Sequence, residues 1–326
     1  MTLGIAAAAA VLGGVERRVA TWRRRHGRSK ILAAQLRRNG CQNFREAENR
    51  TAIDLAIAAG RALLQRHPPA AETSDLVLHV HTLLTSIAPP PAQSAQILAA
   101  ALGLGGRDAV TLYQANCASF LAAMRVACSL LRTRPALRGI LIVGADRQYS
   151  DSLRAMGIAA MASDAGVAAL VTRENAAAEI LSVEVGTDGR FPRGVMFDEE
   201  HDFDDRYNEL TRRTIARALE KAGLSTADVD HVFPHNINMS GWLLNLAALG
   251  IDADRLHMDG FSAIGHAFVC DTIFNLIEGY PEPPDGRVAL LHSNGASGWS
   301  GTAVLRLNAN LPRITVDLPE VDRQAN

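Results

Sequence analysis

The chain alternates short apolar runs with longer helical segments in both of its halves, and this pattern restricts its fold more than any other feature. Apolar runs typical of buried strands lie at residues 76–84, 139–146, 167–173, 231–236, 287–294 and 302–307. Apolar residues at helical spacing predict helices at residues 54–65, 94–103, 207–222 and 241–250. Residues 3–12 are so rich in alanine that both a strand and a short helix fit. The alternation predicts an α/β fold with layered sheets, built from two related halves.

Composition excludes several classes of partner. The 326 residues are 48% apolar and 21% charged, with a formal net charge of -1, which is ordinary for a soluble enzyme and gives no overall field that would attract nucleic acid or anionic membrane. No apolar run reaches the roughly 20 residues that span a bilayer. The alanine run at residues 6–10 has no positive charge before it, so we expect no signal peptide and a cytoplasmic protein.

Arginines are concentrated near the start of the chain, in the segment VERRVATWRRRHGRSK at residues 15–30. Such a cluster is typical of a solvated helix face. The alternative is a docking patch for a phosphate-bearing donor, such as a carrier protein or coenzyme A. The sequence leaves both interpretations open.

Four cysteines occur, at positions 41, 117, 128 and 270. Their wide spacing matches no zinc motif and no disulfide framework, so we expect reduced thiols, no metal and no redox cofactor. We expect Cys41, Cys128 and Cys270 to serve as small, buried hydrophobic residues.

Cys117 differs from the other three in its surroundings. A short strand, VTLYQA, leads to Asn116 and Cys117, and a long helix follows with Ser119 in its first turn. A thiol at this place lies in the positive end of the helix dipole, which favours the nucleophilic thiolate. We therefore predict that Cys117 is the nucleophile of an acyl-transfer enzyme.

A cysteine nucleophile needs a histidine partner, and two of the ten histidines stand out. His235 ends a strand in FPHNINMSGW, and His266 follows Gly265 at a break in the pattern. His79 and His81 lie in an apolar strand, as core or substrate-tunnel residues. The remaining candidates without a supporting pattern are His26, His67, His201 and His231.

The order of these features resembles the β-ketoacyl-acyl-carrier-protein synthase III group of the thiolase superfamily. The matching segments are YQANCASFLAAM, VGAD, SDAG, PHNIN and SNGASGWSGTAVLRL. The resemblance implies a thiolase-like, five-layered αβαβα fold with two similar halves, which we divide as residues 1–173 and 174–326. It also implies a homodimer and a thioester donor carried by an acyl carrier protein or coenzyme A.

One departure from that group concerns the chemistry. Condensing members carry Gly-Asn-Thr where this chain has Gly265, His266 and Ala267, and Asp271 follows five residues after His266. This arrangement is similar to a branch that moves acyl groups to hydroxyls, amines or thiols in antibiotic pathways. A histidine suits removal of a proton from such an acceptor, and an aspartate can orient it. The two residues fall in one predicted helix, in which five residues turn about 500°, so direct contact requires His266 at the frayed start.

The resemblance assigns three further roles. His235 either binds the thioester carbonyl or assists deprotonation of the acceptor. The backbone amides of Cys117 and Gly295 form the oxyanion hole. The early segment LRRNGCQNFRE at residues 36–46 matches the coenzyme-A-priming members poorly, and Trp22 lies far upstream, so a carrier-protein donor is at least as plausible as acyl-CoA.

The predicted function is therefore a ping-pong acyltransferase that uses Cys117, His266, Asp271 and His235, needs no cofactor, and acts on a small-molecule acceptor. Two alternatives stay open: a decarboxylating 3-oxoacyl synthase, and a non-catalytic subunit of a condensing heterodimer. The polar segment at residues 186–206 is the candidate loop near the substrate entrance.

Overall fold

A computed structural model describes residues 2–86, 92–190 and 203–319, without the side chains of residues 203–205. Its strands are β1 Gly4–Leu12, β2 Val15–Arg18, β3 Asn43–Glu46, β4 Ser74–Val80, β5 Asp108–Leu112, β6 Gly139–Asp146, β7 Ala155–Met156, β8 Ala160–Met161, β9 Ala165–Thr172, β10 Ala178–Thr187, β11 His231–Pro234, β12 Arg287–Gly295, β13 Trp299–Leu307 and β14 Arg313–Asp317.

The α-helices range from four to 20 residues. They are α1 Val19–Arg25, α2 Lys30–Arg38, α3 Ala52–Arg66, α4 Pro69–Thr73, α5 Ser94–Ala101, α6 Ser119–Thr133, α7 Phe203–Ala222, α8 Met239–Leu249, α9 Phe261–Ile264 and α10 Asp271–Gly279.

The main sheet consists of two half-sheets with the same arrangement of strands. The first runs β1, β9, β6, β4, β5 and the second β10, β13, β12, β11. In each half the first two pairings are antiparallel and the third is parallel. Only two residue pairs, Gly4 with Glu179 and Ile5 with Ala178, join the halves through β1 and β10. The two halves predicted from the sequence are therefore present as a topological repeat, and the boundary at residue 173 stays a prediction.

Helices cover and separate the half-sheets. Helix α6 contacts β4, β6 and β9 of the first half and β10, β12 and β13 of the second, and α10 likewise contacts strands of both halves. Helices α3 and α5 pack on the outer face of the first half, and α7, backed by α8, packs on the second. The resulting order of layers is helix, sheet, helix, sheet, helix, which is the predicted αβαβα arrangement.

The ambiguous alanine-rich segment is a strand. All nine residues of β1 are buried, because β1 pairs with β9 on one side and with β10 and then β14 on the other. Pairing on both edges and cover on both faces outweigh the helical preference of alanine.

Two predicted strand boundaries were wrong. The strand predicted at residues 76–84 ends at Val80, because the buried Asp146 carboxylate accepts hydrogen bonds from the amides of Thr82 and Leu83 and from the hydroxyl of Ser86. This carboxylate draws the chain out of the sheet. The strand predicted at VTLYQA lies at residues 108–112 instead, and Tyr113 begins the turn that leads to Cys117.

Candidate active site

Cys117 lies in a tight turn between β5 and the first residue of α6. A single 3₁₀ turn, Asn116–Ala118, precedes the helix, and Asn116 has a φ of 50°. Asparagine tolerates this left-handed conformation better than most residues. The Cys117 side chain is 7% exposed. The strand–turn–helix placement expected from the sequence is confirmed, with the thiol next to the N-terminus of a 15-residue helix.

The sequence predicted that His266 and Asp271 lie in one helix, and this prediction is wrong. Gly265 has φ 65° and ψ −148°, and a Cβ there would lie 2.6 Å from the carbonyl oxygen of Met161. Only glycine adopts this conformation readily. It turns the chain so that the His266 amide bonds to Met161 and its carbonyl accepts from Ser163. Helix α10 begins only at Asp271, so helical geometry does not govern the contact between the two residues.

Three of the four predicted catalytic side chains form one continuous line. The Sγ of Cys117 lies 3.5 Å from Nε2 of His266, and Nδ1 of His266 lies 2.5 Å from Oδ2 of Asp271. Asp271 is held from two further directions: Oδ2 accepts from the amide of Asn236 and Oδ1 from the amide of Ala267, each at 2.7 Å. Because the carboxylate accepts from Nδ1, the histidine presents Nε2 to the thiol.

Asp271 and Cys117 both raise the pKa of His266. Burial acts to lower the pKa of His266, but the negative charge of Asp271, the electrostatic effect of Cys117 and the hydrogen bonds to both outweigh it. The result is a pKa of about 10. His266 and Asp271 are both fully buried. The raised pKa favours a protonated His266, which can donate from Nδ1 to Asp271 and from Nε2 towards Cys117.

His235 lies next to this line but differs from His266 in its protonation. Its ring lies edge-on to that of His266 with centroids 6.0 Å apart. Its Nδ1 accepts from the amide of Asn294 at 3.3 Å, so the ring hydrogen of the neutral form is on Nε2. Burial lowers the pKa of His235 well below its usual range, and the charges of His266 and His292 add to this. His235 is thus a neutral hydrogen-bond donor at Nε2.

The glycine-rich turn meets the nucleophile turn closely. A Cβ at Gly295 would lie 2.4 Å from the carbonyl oxygen of Ala115, and the Ser297 hydroxyl donates to Oδ1 of Asn116 at 2.7 Å. The two turns can approach this closely because glycine has no Cβ. The role of the amides of Cys117 and Gly295 as an oxyanion hole stays a prediction.

Apolar side chains surround the thiol. Cys117 packs in a small cluster with Ala162 and Phe268, against which Leu83 and Met156 also pack. Phe268 has a φ of 55°, a conformation that costs about 1–3 kcal/mol in a non-glycine residue. This strained phenylalanine contacts both Cys117 and the ring of His266, at a centroid distance of 4.9 Å. The thiol is therefore packed against apolar side chains on this side.

The other sequence candidates lie apart from this line. His79 and His81 are fully buried on β4 and just after it, where His81 stacks on Tyr113. His231 contacts His257, and His26 contacts Asp151. Trp22 is buried, with its ring N–H bonded to the carbonyl of Asp151. Cys41, Cys128 and Cys270 are free and buried, as expected.

The prediction of an entrance loop at residues 186–206 is not tested by the structure, because the loop is only partly described. Of the candidate entrance loop at residues 186–206, residues 191–202 lie outside the described residues, and so does His201.

Sequence reasoning missed several residues that support the line. The hydroxyl of Ser293 donates to the carbonyl of Cys117 at 3.0 Å and lies 3.4 Å from Nδ1 of His235. Asn275 donates to the carbonyl of Pro234 and to Oδ1 of Asn236, both at 2.7 Å, and so fixes the segment that carries His235. Serine at a strand end and asparagine within a helix carry no pattern that would have marked them.

Within residues 2–86, 92–190 and 203–319, no group of three or more histidine, cysteine, aspartate or glutamate side chains is arranged to hold a metal ion. Among the helices of the same ranges, none is both long and apolar enough to cross a membrane.

The fold and the site define the class: a thiolase-like fold with a cysteine at the N-terminus of its central helix. Residues 113–189, which contain the nucleophile turn, match the sequence model of 3-oxoacyl-[acyl-carrier-protein (ACP)] synthase III. A solved structure that matches the whole fold is that of ChlB3, described as an acyltransferase. It has a TM-score of 0.84 and 20% identity, and the match covers 95% of this chain and 98% of that one.

Curated relatives identify the family. A β-ketoacyl-[acyl-carrier-protein] synthase III of Ruegeria pomeroyi is 30% identical over 230 residues, which are 64% of this chain and 69% of the relative. The corresponding protein of Cereibacter sphaeroides is 31% identical over 213 residues, which are 59% of this chain but only 64% of that protein's length. The chain belongs to the β-ketoacyl-[acyl-carrier-protein] synthase III family.

Proposed function

We propose that this protein is an acyltransferase that moves an acyl group from a thioester, through an acyl-Cys117 intermediate, to a hydroxyl, amine or thiol acceptor. The observation that carries the proposal is the line from Cys117 Sγ to His266 to Asp271, at 3.5 Å and 2.5 Å. It places a carboxylate-oriented histidine where condensing relatives are expected to carry an asparagine. An asparagine cannot exchange protons near neutral pH, whereas a histidine can.

The first half-reaction charges the cysteine. The thiolate of Cys117 attacks the thioester carbonyl, and the carbonyl electrons move onto oxygen, facing the amides of Cys117 and Gly295 in the proposed oxyanion hole. The intermediate collapses, the bond to the donor sulfur breaks, and His266 gives its Nε2 proton to the departing thiolate. The products are the acyl-cysteine, a neutral His266 and a free donor thiol.

The second half-reaction transfers the acyl group from Cys117 to the acceptor. Acylation removes the negative charge of the thiolate, which is one of the causes of the raised pKa of His266. The neutral histidine, still oriented by Asp271, then accepts the proton of the acceptor O–H, N–H or S–H as that atom attacks the acyl carbonyl. Collapse releases the Cys117 thiolate and restores the original pair.

The tautomer of His235 supports a donor role in the same steps. A neutral ring with its hydrogen on Nε2 can donate to the thioester carbonyl or to the acceptor heteroatom, but its lowered pKa makes it a poor base at neutral pH. Of the two roles that the sequence left open, binding of an oxygen atom is therefore the one we propose.

We extend the proposal to a cytoplasmic homodimer that serves an antibiotic-type pathway. Strand β5 supports the dimer: among the described residues it pairs with β4 alone, and Val110 on it is 47% exposed. An open, apolar strand edge favours pairing with a second copy.

Intact-mass spectrometry tests the proposal. The protein is incubated with acyl-CoA and acyl-carrier-protein donors, and then with alcohol and amine acceptors. We expect an acyl adduct that the Cys117→Ala variant lacks, and discharge of that adduct with formation of an ester or amide. A malonyl donor that discharges it with release of carbon dioxide would identify a condensing enzyme instead. A protein that never forms the adduct would fit the non-catalytic subunit.

A further inference from the structure

Strands β1 and β10 occupy equivalent positions in the two half-sheets. Each begins its half and pairs antiparallel with the last strand of that half, β9 or β13. Both pairings also contain an irregularity at the same place: the register shifts between Ile5 and Ala7 in β1 and between Ile180 and Ser182 in β10. The repeat therefore aligns Ile5 with Ile180 and Ala7 with Ser182.

Beyond this irregularity the outer edges of the two strands differ. Residues 8–12 of β1 pair in parallel with β14, and the Ala8 amide donates to the carbonyl of Pro312 at 2.9 Å. The counterparts of residues 8–12 are residues 183–187 of β10, which among the described residues pair with β13 alone. The edge of β10 is thus open where the edge of β1 is paired.

The backbone of β10 is oriented to pair at this open edge. The carbonyl of Val185 accepts a hydrogen bond from Nη1 of Arg125 at 3.0 Å, so it points away from β13. Backbone groups alternate between the two edges of a strand, so those of Val183 point the same way. Val183 is the counterpart of Ala8, whose amide makes the first bond to the segment that enters β14. The open edge therefore presents backbone groups where the first half uses them for pairing.

A groove of about 480 Å³ runs along the open edge. Helices α6 and α7 flank β10 there, as α10 and α3 flank β14 in the first half. The groove is apolar at the strand, where Leu181 and Val183 line it, and its helical walls are cationic. The cations are Arg125, Arg132 and Lys221. Lys221 pairs with Glu184, whereas Arg125 and Arg132 have no carboxylate partner within the described part of the chain.

We propose that residues 183–187 bind an extended acidic segment of another protein, which adds to the open edge as a parallel strand. Strand β14 shows that a strand of five residues fits between two helices at the equivalent place. Main-chain pairing gives such a site its affinity, and acidic side chains complement Arg125 and Arg132. A small anion would contact the arginines but leave the strand edge unpaired. A second copy of this edge would bring the same positive charges together.

Fluorescence anisotropy with three labelled peptides tests the proposal without depending on the proposed chemistry. The first peptide alternates valine with glutamate over about six residues, a common strand length. The second has the same sequence with a methyl group on every internal amide nitrogen, and the third has lysine in place of glutamate. We expect the first to bind at least about ten-fold more tightly than the others, and salt to weaken it. Equal binding of all three, or no binding of the first, would overturn the proposal.

Variants of the groove locate the binding. Arg125→Glu/Arg132→Glu should weaken binding of the acidic peptide by about ten-fold or more. Arg37→Glu/Arg66→Glu, which changes two exposed arginines on α2 and α3, should change it by less than about two-fold. Val183→Pro removes the donor at the open edge, where proline is tolerated, and should also weaken binding, with circular dichroism as the check on folding. An equal loss in the control variant contradicts the groove as the site.

Amide hydrogen exchange reports on the edge in the unaltered protein. The bound acidic peptide should slow exchange at Val183 and Val185 by about ten-fold or more, and should leave Ala8, which is already bonded, unchanged. Protection confined to other segments would place the peptide elsewhere. Full protection of Val183 and Val185 before any peptide is added would mean that this chain or a second copy already covers the edge. Either result would overturn the proposal.

Discussion

Helices α6 and α10 occupy the same layer and direct their N-termini at one site, but the two anions that they support have different roles. Helix α6 has no acidic residue in its first turn, and the thiol lies just before it. Helix α10 begins with Asp271, whose carboxylate receives two backbone amides and a histidine. The first end stabilises an anion that reacts, and the second stabilises an anion that stays in place and holds a cation. One helix N-terminus thus lies beside the nucleophile, and the other holds the carboxylate that orients its histidine.

The largest expected effect comes from removing the reactive anion. Replacing Cys117 with alanine should lower acyl transfer by about 10⁴-fold or more, since the remaining groups can only bind and polarise the thioester. Steady-state transfer assays measure this loss. The matched control is Cys128→Ala on the same helix, whose thiol is buried away from the line, and equal losses in both variants would remove Cys117 from the mechanism.

The second largest effect comes from removing the negative charge of Asp271. In Asp271→Asn, an amide NH₂ would face one of the three N–H groups that the carboxylate now accepts from. The His266 ring would lose its orientation and its preferred tautomer, and we expect a loss in kcat on the order of 10³-fold. Circular dichroism should show an unchanged fold. Activity close to wild type would mean that His266 works without its carboxylate, and Asp254→Asn on the surface serves as the control.

The ion pair of His266 also predicts a pH dependence of stability. Its folded pKa of about 10 lies above the ordinary 6.5, so the stabilisation is fully present below pH 6.5 and is lost as the pH rises to about 10. The difference in melting temperature between wild type and His266→Gln should therefore shift against the wild type across that window. A difference that is constant from pH 6 to pH 10 would contradict a protonated His266 in the resting protein.

The smallest expected effect concerns Asn275, which acts on the site through Pro234 and Asn236. Asn275→Ala removes the two hydrogen bonds that fix Pro234 and Asn236, and we expect a loss of about 1–3 kcal/mol in the free energy of unfolding. Catalysis should fall by roughly ten-fold, since the Asn236 amide still reaches Asp271 but less accurately. Chemical denaturation and kcat measure the two effects, and Asn275→Asp, which keeps an acceptor but loses the donor, should resemble the alanine variant.

The sequence predicted the layered fold and the turn at Cys117, and it singled out His266, because each leaves a local pattern: periodicity, a strand–turn–helix junction and a break after Gly265. It could not predict how His266 reaches Asp271. That contact depends on the conformations of Gly265 and Phe268, and backbone dihedral angles leave no mark in a hydrophobic pattern.

Long-range hydrogen bonds explain two further features that the sequence could not show. The end of β4 is set by Asp146, which lies more than 60 residues away in the chain. The tautomer of His235 is set by the Asn294 amide, 59 residues away. Such contacts exist only after the sheet has formed.

The most direct test of the account follows the mass of the acylated protein over time after a hydroxyl or amine acceptor is added. Our account predicts that the adduct on Cys117 disappears with formation of the ester or amide, and that discharge slows strongly in Asp271→Asn. An adduct that persists with every such acceptor, but disappears with a malonyl thioester as carbon dioxide is released, would contradict the account and make this protein a condensing enzyme.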